Sequence, residues 1–128
     1  MRIYIAGKIT GDKNYKRNFL KAERRLKKKG HSVMNPAWLV EYQGFTYSDY
    51  MDISDCMRRK CDAIFLLDNW MNSNGAQCER LKGINEEQTL YYNIDEVPVA
   101  DSLDAFRQQV KKEWAECEFA PFLQREEE

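Results

Sequence analysis

Asp62-Ala63-Ile64-Phe65-Leu66-Leu67-Asp68, followed by Asn69-Trp70-Met71-Asn72 and then Ser73-Asn74-Gly75-Ala76-Gln77-Cys78-Glu79, decides how the rest of the chain is read. An uncharged apolar run between two aspartates has no alternation, which marks a strand buried on both faces. The Asn/Ser/Gly cluster after it supplies turn and helix-capping chemistry, with Asn74 and Gln77 spaced as in a capping box. The stretch is therefore a strand, a loop and a helix start. In open parallel sheets ligands bind beyond the carboxyl ends of the strands. A loop there that delivers Ser73, the bare backbone of Gly75 and the Glu79 carboxylate is the expected site.

Upstream, Arg2-Ile-Tyr-Ile-Ala6 is a short apolar strand that runs into Gly7-Lys8-Ile9-Thr10-Gly11, where glycines at both ends let backbone amides approach an anion. Tyr15, Phe19, Ala22 and Leu26 recur at helical spacing within about 14–29, and Gly30 ends that helix. Its many lysines and arginines form a solvated outer face rather than a polyanion footprint. His31 to Met34 is a second strand, with His31 a structural turn or edge residue, and Asn35-Pro36 closes it. Trp38, Tyr42, Phe45 and Tyr47 either wall a pocket for a flat group or cover a sheet edge or subunit contact. A second helix over about 48–60 places Tyr50, Ile53, Met57 and Cys61 on one face, leaving Asp49, Asp52 and Asp55 as candidate pocket or solvent carboxylates. Thr89 to Tyr92 is a fourth strand. A last helix over about 101–118 opens at Asp101-Ser102 and carries Leu103, Phe106, Val110, Trp114 and Cys117 at helical spacing.

Alternation of this kind predicts an α/β fold, a doubly wound parallel sheet of four to five strands with helices on both faces. The expected strands are 2–6, 31–34, 63–67 and 89–92. At 128 residues, a single domain is expected. The formal net charge of −1 gives no global attraction for nucleic acid or an anionic membrane. Four cysteines without a Cys-x-x-Cys pair, and a single histidine, make a zinc site improbable and suggest buried free thiols in a reducing cytoplasm. No apolar run is long enough to cross a bilayer.

Gly7-Lys-Ile-Thr-Gly11, Gly30-His31, Asn35-Pro36, Asp52, Cys61-Asp62-Ala63, Trp70 and Ser73-x-Gly-Ala-x-x-Glu79 together give the chain its resemblance. Over about residues 1–93 it resembles the nucleoside 2-deoxyribosyltransferase-like superfamily. The match is to its small DUF4406-type domains, which are related to deoxynucleoside-monophosphate N-glycosidases. The resemblance implies a flavodoxin-like (Rossmann-like) three-layer fold with strand order 2-1-3-4. It also implies a homodimer or higher homo-oligomer with sites near subunit contacts, and no cofactor or metal. By the same resemblance Glu79 is a nucleophile toward the anomeric carbon of a deoxyribosyl group. Asp52 is the second carboxylate, with Asp49 and Asp55 in reserve, and Tyr4, Gly7, Lys8, Ile9, Thr10, Gly11, Ser73 and Gly75 contact a nucleoside or its 5′-monophosphate.

Such a pair of carboxylates suits cleavage of an N-glycosidic bond: one stabilises and traps the cationic sugar, and the other manages the proton of the leaving base. Water or a second base could resolve the ester, so hydrolysis and transfer both stay open. A module that binds a nucleotide without cleaving it is the alternative, since doubly wound folds host both kinds of site.

Overall fold

The computed structural model describes residues 1–100 and 110–116. Four strands, β1 (Arg2–Ala6), β2 (Ser32–Met34), β3 (Ala63–Leu66) and β4 (Thr89–Tyr91), form one sheet in the order β2-β1-β3-β4. Every pairing is parallel: Ile3 lies beside Val33 and Ala63, Ala6 beside Leu66, and Phe65 beside Tyr91. The architecture, the strand order and the four strand positions agree with the sequence reading, the strand ends differing by a residue or so. Helices α1 (Tyr15–Lys28), α2 (Tyr47–Arg59) and α3 (Asn74–Asn85) connect them, and Pro36–Glu41, Trp70–Asn72 and Ile94–Glu96 are short 3-10 turns.

Successive strand residues point to opposite faces, and the two cores follow that alternation. Ile3, Ile5, Ala63 and Phe65 pack under α1 through Phe19, Ala22 and Leu26. On the other face Tyr4, Ala6, Ile64 and Leu66 pack with Ala76 of α3 and Met57 of α2. Tyr4 is therefore committed by its parity to the α2–α3 layer. The buried stripe of α3 is Ala76, Glu79 and Gly83. Gly83 admits the helix onto the sheet, because a Cβ there would lie 2.5 Å from Ile64 Cδ1.

Several local readings are corrected. Ser73, not Asn74, caps α3: its hydroxyl accepts the Ala76 amide at 3.1 Å, while the Gln77 side chain bonds the Met71 carbonyl. Helix α2 starts at Thr46–Asp49, a reciprocal capping box, and this sets its phase. Ser54 and Arg58 consequently face inward and Ile53 is exposed. Of the thiols, Cys61 is buried, and burial pushes it up to about 11, but Cys56 and Cys78 are exposed on outward helix faces.

His31 is buried, its ring nitrogens paired with the Met1 amino group and the Pro98 carbonyl. Residues 110–115 are helical, whereas the expected cap at Asp101-Ser102, together with Leu103, Phe106, Cys117 and the acidic end, lies outside the described residues. Among the described residues no helix is long and apolar enough to cross a membrane.

Candidate active site

Beyond the carboxyl ends of β1 and β3 a cleft of about 540 Å³ opens between the loop after β1, the turn after β2, α2 and the start of α3. Of the expected site residues, Tyr4, Gly7, Lys8, Ile9, Thr10, Ser73, Gly75 and Glu79 all line it. Gly11 does not; with φ +81° it turns the chain back toward α1, a conformation glycine adopts without strain. Gly7 has to be bare, since a Cβ would stand 2.6 Å from the Leu67 side chain and push the loop off β3. A Cβ on Gly75 would make only ordinary contacts with Met51 and Tyr47.

Glu79 is 8 % exposed, and its Oε2 has no hydrogen-bond partner. Burial pushes its carboxyl up to about 7, against the opposing pull of Tyr4, Arg58 and Lys82. Tyr4 faces it from β1, fully buried, with an unpartnered hydroxyl. Desolvation holds that phenol well above its ordinary range, and the Glu79 charge adds to the effect. A buried carboxyl oxygen and a buried phenol that act on one another yet make no hydrogen bond of ordinary geometry cost stability, and such groups concentrate where a ligand completes the bonding.

Asp52 is not brought into the cleft. One residue of helix turns about 100°, so with Met51 and Ser54 inward, Asp52 is carried about 200° from Ser54 to the exposed side of α2. Asp49 is occupied in the capping box, and Asp55 is held by Arg58 at 3.0 Å, with Lys82 at 3.5 Å. Burial alone would raise the Asp55 carboxyl, but these cations keep it below its usual value. Among the described residues lining the cleft, Glu79 is the one carboxylate, and α2 contributes the hydroxyl of Ser54.

Ser54, Met51, Tyr50, Leu39 and Val40 are lining residues that the sequence reading missed. The Thr46-x-x-Asp49 box held the signal, because starting α2 there turns Tyr47, Tyr50, Met51 and Ser54 to one side. From the aromatic segment, Tyr47 reaches the cleft, whereas Trp38, Tyr42 and Phe45 remain exposed. Trp70 packs instead against Tyr92, with ring centroids 5.9 Å apart, and lies under the Arg80 guanidinium.

A family model described as "Domain of unknown function (DUF4406)" matches residues 1–102. Among solved structures, the fold is similar to that of a 2-deoxyribosyltransferase from the psychrotolerant bacterium Bacillus psychrosaccharolyticus. The two share 21% identity over 70% of this chain and 69% of that one, with a TM-score of 0.57. At that identity the likeness concerns the fold. Among curated proteins, none matches the chain.

Proposed function

The chain belongs to the DUF4406 family, and from that premise we propose that it cleaves the N-glycosidic bond of a deoxynucleoside 5′-monophosphate, with Glu79 as nucleophile. The observation that carries this reading is the buried, unpartnered Glu79 carboxyl at the floor of a cleft whose mouth holds the start of α3. Ser73 takes the Ala76 and Gln77 amides, which leaves those of Asn74 and Gly75 at the start of α3 to favour a phosphate, and Lys8 and Thr10 line the same cleft. From Gly75 to Glu79 the helix rises about 6 Å, a span suited to a pentose between phosphate and anomeric carbon.

In the reaction a Glu79 oxygen bonds to the anomeric carbon as the carbon–nitrogen bond breaks and its electron pair leaves with the base, which takes up a proton. Water then attacks the ester, releasing the sugar phosphate and restoring the carboxylate; a second base in place of water would make the outcome a transfer. With Asp52 turned away, the proton for the base comes from solvent rather than from an α2 carboxyl.

A second reading, a module that binds the nucleotide intact, is favoured by one observation: the cleft offers Ser54 where two-carboxylate chemistry would use an acid. Incubation of the purified protein with a panel of deoxynucleosides and their monophosphates, followed by chromatography, separates the two. Free base released from a monophosphate is the expected result; binding with no base released favours the second reading.

The same proposal includes assembly. Trp38, Tyr42 and Phe45, exposed at 46 %, 63 % and 55 %, form an apolar rim beside the cleft that suits a second copy of the chain. Light scattering is expected to give at least twice 15.2 kDa at micromolar concentration, and a monomer there would overturn the assembly.

A further inference from the structure

We infer that Asn69, outside the cleft lining, is a positioning residue that orders the loop between β1 and α1 for substrate; the inference rests on the proposed reading of that loop as a phosphate contact. The loop over residues 7–12 carries a glycine near each end, and left alone it would sample many conformations. One side chain from the far end of β3 ties both of its ends. Asn69 Oδ1 accepts the Lys8 amide at 3.0 Å, and Asn69 Nδ2 donates to Asp12 Oδ2 at 3.1 Å. Asp12 in turn accepts the Asn14 amide at 2.8 Å and the Asn18 side chain at 3.3 Å, which anchors the loop to α1. Both functions of the Asn69 amide are used, a donor toward a carboxylate and an acceptor for a backbone amide, and aspartate or serine cannot supply both in this geometry.

Between the two tied points run Ile9, Thr10 and Gly11, and Lys8, Ile9 and Thr10 face the cleft. Ordering this segment during folding removes an entropic cost that binding would otherwise meet. Asn69 touches no reacting atom, so its loss should weaken capture of substrate and spare the chemical step.

The test uses the full chain with Asn69→Ala, Asn69→Asp, and Asn69→Asp combined with Asp12→Asn. Asn69→Ala should speed hydrogen exchange at the Lys8 amide at least about tenfold and raise KM for a deoxynucleoside monophosphate about tenfold, with kcat within about threefold of wild type. Asn69→Asp keeps the acceptor for Lys8 but sets a carboxylate against Asp12, and should act in the same direction. Adding Asp12→Asn restores a donor opposite that acceptor and should recover most of the KM.

Faster exchange with unchanged KM makes Asn69 merely structural and overturns the inference. Unchanged exchange overturns it as well, whatever KM does. A wild type that neither cleaves nor binds monophosphates sinks the proposed function instead. That result is visible before any variant is made and is separate from the exchange at Lys8, which still decides whether Asn69 orders the loop.

Discussion

Glu79→Gln is expected to lower release of free base by several orders of magnitude while substrate affinity stays within about tenfold, because the substitution keeps the shape and removes only the attacking charge. A 2-fluoro-2-deoxyribosyl substrate, whose fluorine slows breakdown of the ester, should leave its sugar on the wild-type peptide containing Glu79 and none on the variant. Near-normal turnover in Glu79→Gln, with no adduct in an active wild type, would move the nucleophile elsewhere. The same carboxyl sets a pH dependence. With its folded value pushed up to about 7, Glu79 attacks only after losing a proton, so the rate should climb through neutral pH.

Stability should run the other way. Between the ordinary value of 4.5 and about 7 the folded protein holds a proton that the unfolded chain has lost. The favourable contribution is complete below the lower value and disappears as pH rises through the upper one, a span worth about 3 kcal/mol. Glu79→Gln has no such loss, so urea unfolding should find the variant gaining on wild type between pH 4.5 and pH 8. Equal pH dependence in the two proteins would contradict the buried, proton-holding carboxyl.

Arg58→Met is expected to cost about 3 kcal/mol in urea unfolding at neutral pH. The Arg58 side chain is 1 % exposed, and its guanidinium bonds Asp55 at 3.0 Å, Gln88 at 2.6 Å and Glu86. The Gln88 side chain also donates to the Arg58 and Cys61 carbonyls, both at 2.9 Å, so α2 is tied through this cluster to the turn that leads into β4. Methionine fills much of the volume and supplies none of the bonds. The figure stays near the lower end of such losses because Asp55 keeps Arg59 and Lys82, and Glu86 is half-exposed. Arg58→Lys should recover part of it, since an ammonium cannot reproduce the planar fork. Arg58 also pulls the Glu79 carboxyl down, so either loss of the cation or a displaced one should move the rate profile to higher pH. A cost below about 1 kcal/mol with an unmoved profile would show that the cluster neither braces α2 nor acts on Glu79.

How much of this was legible beforehand follows from where the information resides. The five buried residues between Asp62 and Asp68 marked the central strand, since a segment covered on both faces has no room for charge. Helix patterns between such runs then left a parallel sheet as the arrangement that buries all of them. Ser73-x-Gly75 and Glu79 could be placed at the cleft because they follow a strand's carboxyl end within one loop and one helical turn, so local geometry carries them there. Tyr4 was named through the family resemblance alone, and the structure shows the face of β1 that it occupies.

What the chain order could not supply was the rotation of α2 about its axis, and with it which α2 side chains line the cleft. A helix with polar residues on every side has no single apolar stripe, and a shift of one residue turns it by about 100°. That Ser54 rather than Asp52 lines the cleft follows from a capping box at one end of α2 and, at the other, a buried arginine whose partners lie about 30 residues further along the chain. Asn69 was equally hidden: its partners lie 61 and 57 residues away in sequence. The local sequence determined which elements form and which end of the sheet holds the cleft. Tertiary packing decided which polar side chains meet there, because hydrogen bonds between distant segments leave no periodicity in the sequence to be read.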